Sequence, residues 1–252
     1  MRATVSRLGR YPVKSFQGET VEHTAIGTAG MPGDRRWAVV DQATGKALSA
    51  KREPRLLDAA ARTVDGTVEV ALPTGTMAVD DPAVHQAVSA WLDRDVRVEH
   101  ADADGPPRSY EFNVSSEDEG SPIVDIACPP GTFVDLAAVH VLTTASLRAI
   151  AARYPEGQWD LHRFRPGILL DTPDDEGFVE DAWVGGTLTI GGVVLQPFMP
   201  TVRCAMVTRA QGELPRDLDI AKTINREHGG SLGIYCAVAE PGQVKLGDTA
   251  RA

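Results

Sequence analysis

The chain predicts a mainly β protein with accessory helices, an α+β arrangement of two β-barrel-like domains. Three observations carry this. Short apolar or alternating runs such as Thr67–Leu72 and Leu232–Val238 outnumber helical patterns. They are separated by turns drawn from 24 glycines and 17 prolines, as in barrels and sandwiches. A strongly acidic, Pro/Gly-containing stretch interrupts them near the middle of the chain. The expected division is a β-rich domain over residues 1–99, an acidic surface loop or linker over 100–126, and a second β domain over 127–252.

Taken in order, Thr4 to Val13 forms an irregular opening strand that ends at Tyr11-Pro12. Gly33-Asp34-Arg35-Arg36 leads into the strand Trp37–Val40, and Asp41–Lys46 forms a hairpin loop with Gly45 supplying φ > 0. Leu48–Ala50 is the expected return strand. Arg55–Val64 is ambiguous between helix and strand, and the Asp65-Gly66 turn after it favours strand. Asp81-Pro82 starts a helix, because a carboxylate caps it and proline suits the first position. Ala83, Val84, Ala87, Val88, Trp91 and Leu92 then share one face. Val139–Leu142 is a strand, Thr143-Thr144 caps the helix marked by Leu147, Ile150, Ala151 and Tyr154, and Ile168–Leu170 is a strand. Thr187–Leu195 reads as a hairpin. Pro197 and Pro200 lack the N–H of a sheet ladder, so Met199–Cys204 is expected at an edge or in a loop, followed by a strand-like run Ala205–Thr208. Leu218–Glu227 is a helix closed by Gly229-Gly230.

Composition excludes some functions. A net charge of −10 argues against binding nucleic acid through phosphates and against docking on anionic membranes. Cys128, Cys204 and Cys236 are far apart, with no C-x-x-C pair for a zinc ribbon or an iron–sulfur cluster. An odd cysteine count suits a reducing compartment, and no apolar leader or span is apparent, so a cytoplasmic protein is expected.

Chemistry concentrates at Arg203-Cys204. A cation beside a cysteine favours the thiolate, although a half-buried structural cysteine is the plainer reading of such a pair. Lys14, Arg35, Arg165 and Arg203 each stand at a strand end close to proline, glycine or cysteine. Singly each is a surface charge; together they would line one anion pocket, since guanidinium forks match phosphate. Thr143 and Thr144 would add hydroxyls and helix N-terminal amides.

Six motifs occur in order: Tyr11-Pro-Val-Lys-Ser15, Asp34-Arg-Arg-Trp37, Glu53-Pro-Arg-Leu56, Phe164-Arg-Pro166, Arg203-Cys204 and Glu240-Pro-Gly-Gln-Val-Lys-Leu-Gly-Asp248. In this the chain resembles the MOSC-domain proteins, specifically their amidoxime-reducing branch with its N-terminal MOSC β-barrel domain. The resemblance implies binding of the molybdenum cofactor, with Cys204 as both metal ligand and catalytic residue. It also implies cofactor contacts from Lys14, Ser15, Arg35, Thr143, Thr144, Arg165, Val202, Arg203 and Tyr235. By its apolar strand alone, Tyr235 reads as core. Gly167 stands where the family has asparagine, and Val202 where a related sequence has serine, so the donor at each is lost.

The implied activity is reduction of small N-hydroxylated substrates (amidoximes, hydroxylamines, N-oxides) by oxygen-atom abstraction at molybdenum. Electrons would come from a separate donor: a ferredoxin, a flavoprotein reductase or a cytochrome b5-like protein. The alternative is a non-catalytic molybdenum cofactor carrier or sulfur-transfer binding module.

Overall fold

A computed structural model describes residues 3–113 and 122–252. The first part runs β1 (Ala3–Arg10), β2 (Glu19–Val21), β3 (His23–Ile26), β4 (Trp37–Asp41), a 3-10 turn at Pro54–Asp58, β5 (Ala60–Val64), β6 (Thr67–Leu72), β7 (Gly75–Ala78), α1 (Ala83–Leu92) and β8 (Val96–His100). Next come β9 (Ser109–Asn113), β10 (Ile123–Ala127), β11 (Val139–Thr143), α2 (Thr144–Ala151), α3 (Leu161–Phe164) and β12 (Ile168–Asp171). The chain finishes with β13 (Leu188–Ile190), β14 (Val193–Val202), a 3-10 turn at Ala205–Thr208, α4 (Leu218–His228), β15 (Ser231–Glu240), β16 (Gly242–Lys245) and β17 (Thr249–Arg251).

The expected fold class holds: strands dominate and the helices are accessory. The largest sheet runs β12-β11-β15-β14-β13-β17-β1, and β1 returns to β12, so seven strands close a barrel with β2 at its side. Closure removes exposed sheet edges. Leu8, Val141, Ile168, Leu170, Leu188, Ile190, Leu195 and Ile234 fill its interior. The opening strand β1 therefore belongs to the same barrel as the later part of the chain. A second core packs Val39, Leu56, Leu57, Val70, Val84, Val88, Leu92, Val96 and Val98 among β4 to β8 and α1. α2, α3 and α4 cover the barrel's outside through Leu142, Ile150, Phe164, Ile220, Ile224 and Leu232.

Several local expectations change. β4 pairs with β8, and Leu48–Ala50 is not a strand; only Ala47 bridges back to Val40. Arg55–Val64 divides into the 3-10 turn and β5. The acidic stretch contains the antiparallel pair β9–β10, which buries Tyr110 against Ala38, Val40 and Phe133. Sequence reading missed this pair because charge and turn residues outweigh its few apolar positions. The glutamates and aspartate of 117–119 lie outside the described residues.

Met199–Val202 is strand, part of β14, and not a loop; it lies at a local sheet edge, the other setting its prolines allow, because it pairs with β15 alone. The prolines are tolerated there because β13 reaches only as far as Leu195. Beyond that point β14 has one partner, β15, and its register shifts between Pro197 and Met199 and again between Pro200 and Val202. Ala205–Thr208 is a 3-10 turn, not a strand.

Candidate functional site

A cavity of about 300 Å³ opens between the barrel and the second core, and most of the expected site residues line it. Cys204 is half-buried there, at the start of the 3-10 turn that follows β14. Arg163 underpins that turn. Although it also lines the cavity, it is 1% exposed and spends its guanidinium on the carbonyls of Gln158, Val207, Arg209 and Pro215.

Three lining residues are held in the left-handed region: Ser15 at φ 69°, Arg35 at φ 47° and Arg165 at φ 52°. Non-glycine residues rarely adopt it, and such strain collects at functional sites. Arg165 is the C-cap of α3, a position where glycine is usual. Lys14 lies on the segment that bridges to Trp37, and Ser15 Oγ accepts from the Ala50 N–H at 3.0 Å.

The cationic side chains are only partly satisfied by protein. Arg165 donates to the Phe16 carbonyl at 2.6 Å, but its second terminal nitrogen is buried without a partner. Burial, then repulsion from Arg35, lowers its pKa to about 10. Arg203 donates to the Phe164 carbonyl at 2.9 Å and its Nε is buried and unpartnered. Burial pulls its pKa down as well. Arg35 is paired with Asp34. Buried donors without acceptors are costly, and here they border a cavity that an acceptor could enter.

At another part of the wall, Lys14 and Lys51 share one carboxylate. Lys14 Nζ donates to Asp135 and, at 2.7 Å, to the Phe133 carbonyl; Lys51 Nζ donates to Asp135 at 2.7 Å. Both ammoniums lie over the Tyr110 ring, at 4.1 and 4.3 Å. Burial lowers the Lys14 pKa, with Asp135 only partly opposing it. For Lys51 burial is outweighed by Asp135, Cys204 and Tyr110, and its pKa rises. Burial would raise the Asp135 carboxyl, but the two lysines outweigh it and hold it far below the ordinary range. Neither Lys51 nor Asp135 was expected from sequence. They lie 84 residues apart, and neither sits in a motif that carries the resemblance.

Among the described residues, six cationic side chains, Lys14, Arg35, Lys51, Arg163, Arg165 and Arg203, line the cavity against two carboxylates, Asp34 and Asp135. An acidic protein thus holds a locally positive hollow. Tyr235 is a wall residue rather than core: its ring meets His140 edge-on at 5.8 Å and stacks with Phe198 at 6.5 Å. Val202 is 60% exposed beside them. Burial, then Arg203 and Arg35, keeps His140 neutral, and its Nε2 is buried without a partner. Gly233, at φ +84°, makes room for that ring, since a Cβ there would lie 2.5 Å from Nε2.

Thr143 and Thr144 do not line the cavity. Thr143 Oγ1 caps α2 by accepting from the Ser146 N–H and donates to Glu180 at 2.7 Å. Thr144 Oγ1 donates to Asp171 and accepts from the Thr172 N–H, both at 2.9 Å. The Thr143 hydroxyl is consumed by helix capping and a buried glutamate, and that of Thr144 by Asp171 and the Thr172 amide, none of which sequence spacing could reveal. Burial raises the Glu180 pKa, with Ser146 and Thr143 opposing. A raised carboxyl means the folded state holds the proton more tightly, so stability falls as pH rises through that value. Glu180→Gln is therefore expected to flatten the decline in urea midpoint that the wild type shows as pH rises above the ordinary glutamate range.

Comparison with known proteins decides the family. The MOSC domain matches residues 130–251, and the MOSC N-terminal beta barrel domain matches residues 2–109. This chain is a MOSC-domain protein. Among curated relatives of this MOSC protein, mitochondrial amidoxime reducing component 2 of Bos taurus is 27% identical over 97% of the chain and 82% of its own length. Molybdenum cofactor sulfurase of Danio rerio is 27% identical over 93% of the chain, which spans only 32% of that enzyme. The Drosophila grimshawi sulfurase is 26% identical, with the same shares covered. The solved YUAD protein of Bacillus subtilis shares the fold at TM-score 0.50 and 13% identity, over 99% of this chain and 94% of that one. No helix among the described residues is long and apolar enough to cross a membrane.

Proposed function

We propose that this chain binds the molybdenum cofactor in the cavity and reduces N-hydroxylated compounds. The observation that carries the reading is the meeting of a half-buried Cys204 with buried guanidinium nitrogens of Arg165 and Arg203 that lack protein acceptors. A phosphate-bearing group would supply those acceptors. Among the described residues no three His, Cys, Asp or Glu side chains could hold a metal ion together. A metal held at Cys204 must bring ligands of its own, as one bound to a pterin dithiolene does.

When bound, the cofactor supplies a two-electron centre that removes oxygen from an N–O group. The chain's residues do the rest. Cys204 offers a soft sulfur ligand and must be deprotonated to bind. Arg35, Arg165 and Arg203 neutralise the phosphate end. Lys51 and Tyr110 both have raised pKa values, so they hold protons at neutral pH and can hydrogen-bond an oxygen leaving a substrate. For Tyr110 burial and then Asp135 are the main causes. Leu136, Met199, Val202 and Tyr235 give the substrate an apolar wall. Electrons come from a separate donor of the ferredoxin, flavoprotein or cytochrome b5 kind. The three cysteines are free thiols, which supports a cytoplasmic setting.

Elemental molybdenum analysis of protein from a cofactor-competent host tests the binding half of this reading. Benzamidoxime reduction with an artificial reductant tests the catalytic half. The sulfurase relatives favour a second reading, a cofactor carrier, which predicts bound molybdenum without turnover.

A further inference from the structure

Tyr11 lines no part of the cavity, yet two of the cavity's guanidiniums rest on its ring. The Arg165 guanidinium carbon lies 4.0 Å from the ring centroid and that of Arg35 lies 4.7 Å away. The residue is 1% exposed, and its hydroxyl is buried without a partner, so the ring face rather than the oxygen makes its contacts. Two glycines admit the ring. A Cβ at Gly18 would lie 2.4 Å from Tyr11 Cδ1, and one at Gly9 would lie 3.1 Å from its Oη. The backbone of Tyr11 ties in Arg35 as well. Its carbonyl accepts from the Arg35 N–H at 2.8 Å, and its N–H donates at 2.8 Å to Asp34, whose other oxygen pairs with the Arg35 guanidinium.

We infer that Tyr11 is a positioning residue: its ring sets the aim of Arg35 and Arg165 so that an anion meets a clamp already formed. Two neighbouring guanidiniums repel, and without a shared surface they would splay apart or turn to solvent. The π face attracts both and fixes their separation, which removes an ordering cost from binding. The inference rests on reading the cavity as an anion site and is independent of the metal.

The test uses metal-free protein and inorganic phosphate as the probe, titrated calorimetrically, alongside melting curves without phosphate. Tyr11→Phe should bind phosphate within about twofold of wild type, because the cation–π face is retained. Tyr11→Leu should bind about tenfold more weakly, because both cation–π contacts are lost. Leu188→Ala, a cavity-forming change in the barrel core, should lower the melting temperature but leave phosphate affinity alone. The inference is overturned if Tyr11→Leu binds as wild type, if Tyr11→Phe falls with it, or if Leu188→Ala weakens phosphate equally. If only the Tyr11→Leu loss is missing, the anion site stands and this inference alone fails. A wild type indifferent to phosphate removes both.

Discussion

Cys204→Ala is expected to bring benzamidoxime reduction down to the no-enzyme rate while the fold survives. The side chain sits half-buried at the start of the 3-10 turn after β14, where no described hydrogen bond of the barrel depends on its sulfur. Loss of one small half-buried atom costs on the order of 1 kcal/mol, which a domain of ordinary stability tolerates. The chemical loss is of a different size, because no other cysteine among the described residues lines the cavity. Cys236 is fully buried in the barrel core, and burial pushes its thiol up to about 12. Cys128 does not line the cavity, and burial raises its pKa too. Turnover and molybdenum content should be measured on matched preparations whose melting curves agree. An alanine variant that still turns over would end the assignment of Cys204 as catalytic ligand.

Asp135→Asn should have the largest effect on stability. Lys14 and Lys51 are 5% and 6% exposed, and Asp135 is the one carboxylate described as paired with either. Removing one partner from a buried ionic cluster costs about 3–5 kcal/mol, but the Asp135 side chain is 37% exposed to the cavity. Solvent screening reduces the expected loss to about 1–3 kcal/mol. The pH dependence follows from the sign of the shift. A carboxyl held far below its ordinary value contributes stability that is fully present above that value and lost as pH falls toward the native one. The wild type should therefore lose urea resistance between about pH 5 and about pH 2 more steeply than the variant. Added phosphate should restore part of the variant's stability, because it can take the carboxylate's place between the lysines. A variant as stable as wild type in phosphate-free buffer would contradict the cluster's role.

What could be read from sequence was whatever neighbours in the chain decide. The amphipathic spacing of Ala83–Leu92 and the Thr143 cap needed no distant partner to be legible, and both are seen. Arg35, Arg165 and Arg203 could be suspected because each lies in a short motif, and the cavity gathers all three. Lys51 and Asp135 could not, because the pair acquires meaning only when β9–β10 and the segment before β11 fold against the first core. Thr143 and Thr144 lie outside the cavity for the converse reason. A helix N-terminus near the motifs looked available, while its true acceptors and donors, Glu180, Asp171 and Thr172, lay 27 to 37 residues further on. The prolines of β14 gave a correct local rule, the missing N–H, but whether a neighbour needed that N–H depended on how far β13 extends.

The barrel's closure has a consequence for biosynthesis. The first strand pairs with β12, more than 150 residues away, and with β17, at residues 249–251. During vectorial synthesis β1 can meet β2 at once, but the edge that takes β12 and the end that takes β17 stay open until those distant strands emerge. Contacts of such separation slow folding and leave a sticky edge open meanwhile. Newly made chains should therefore depend on chaperones until β12 and β17 have emerged.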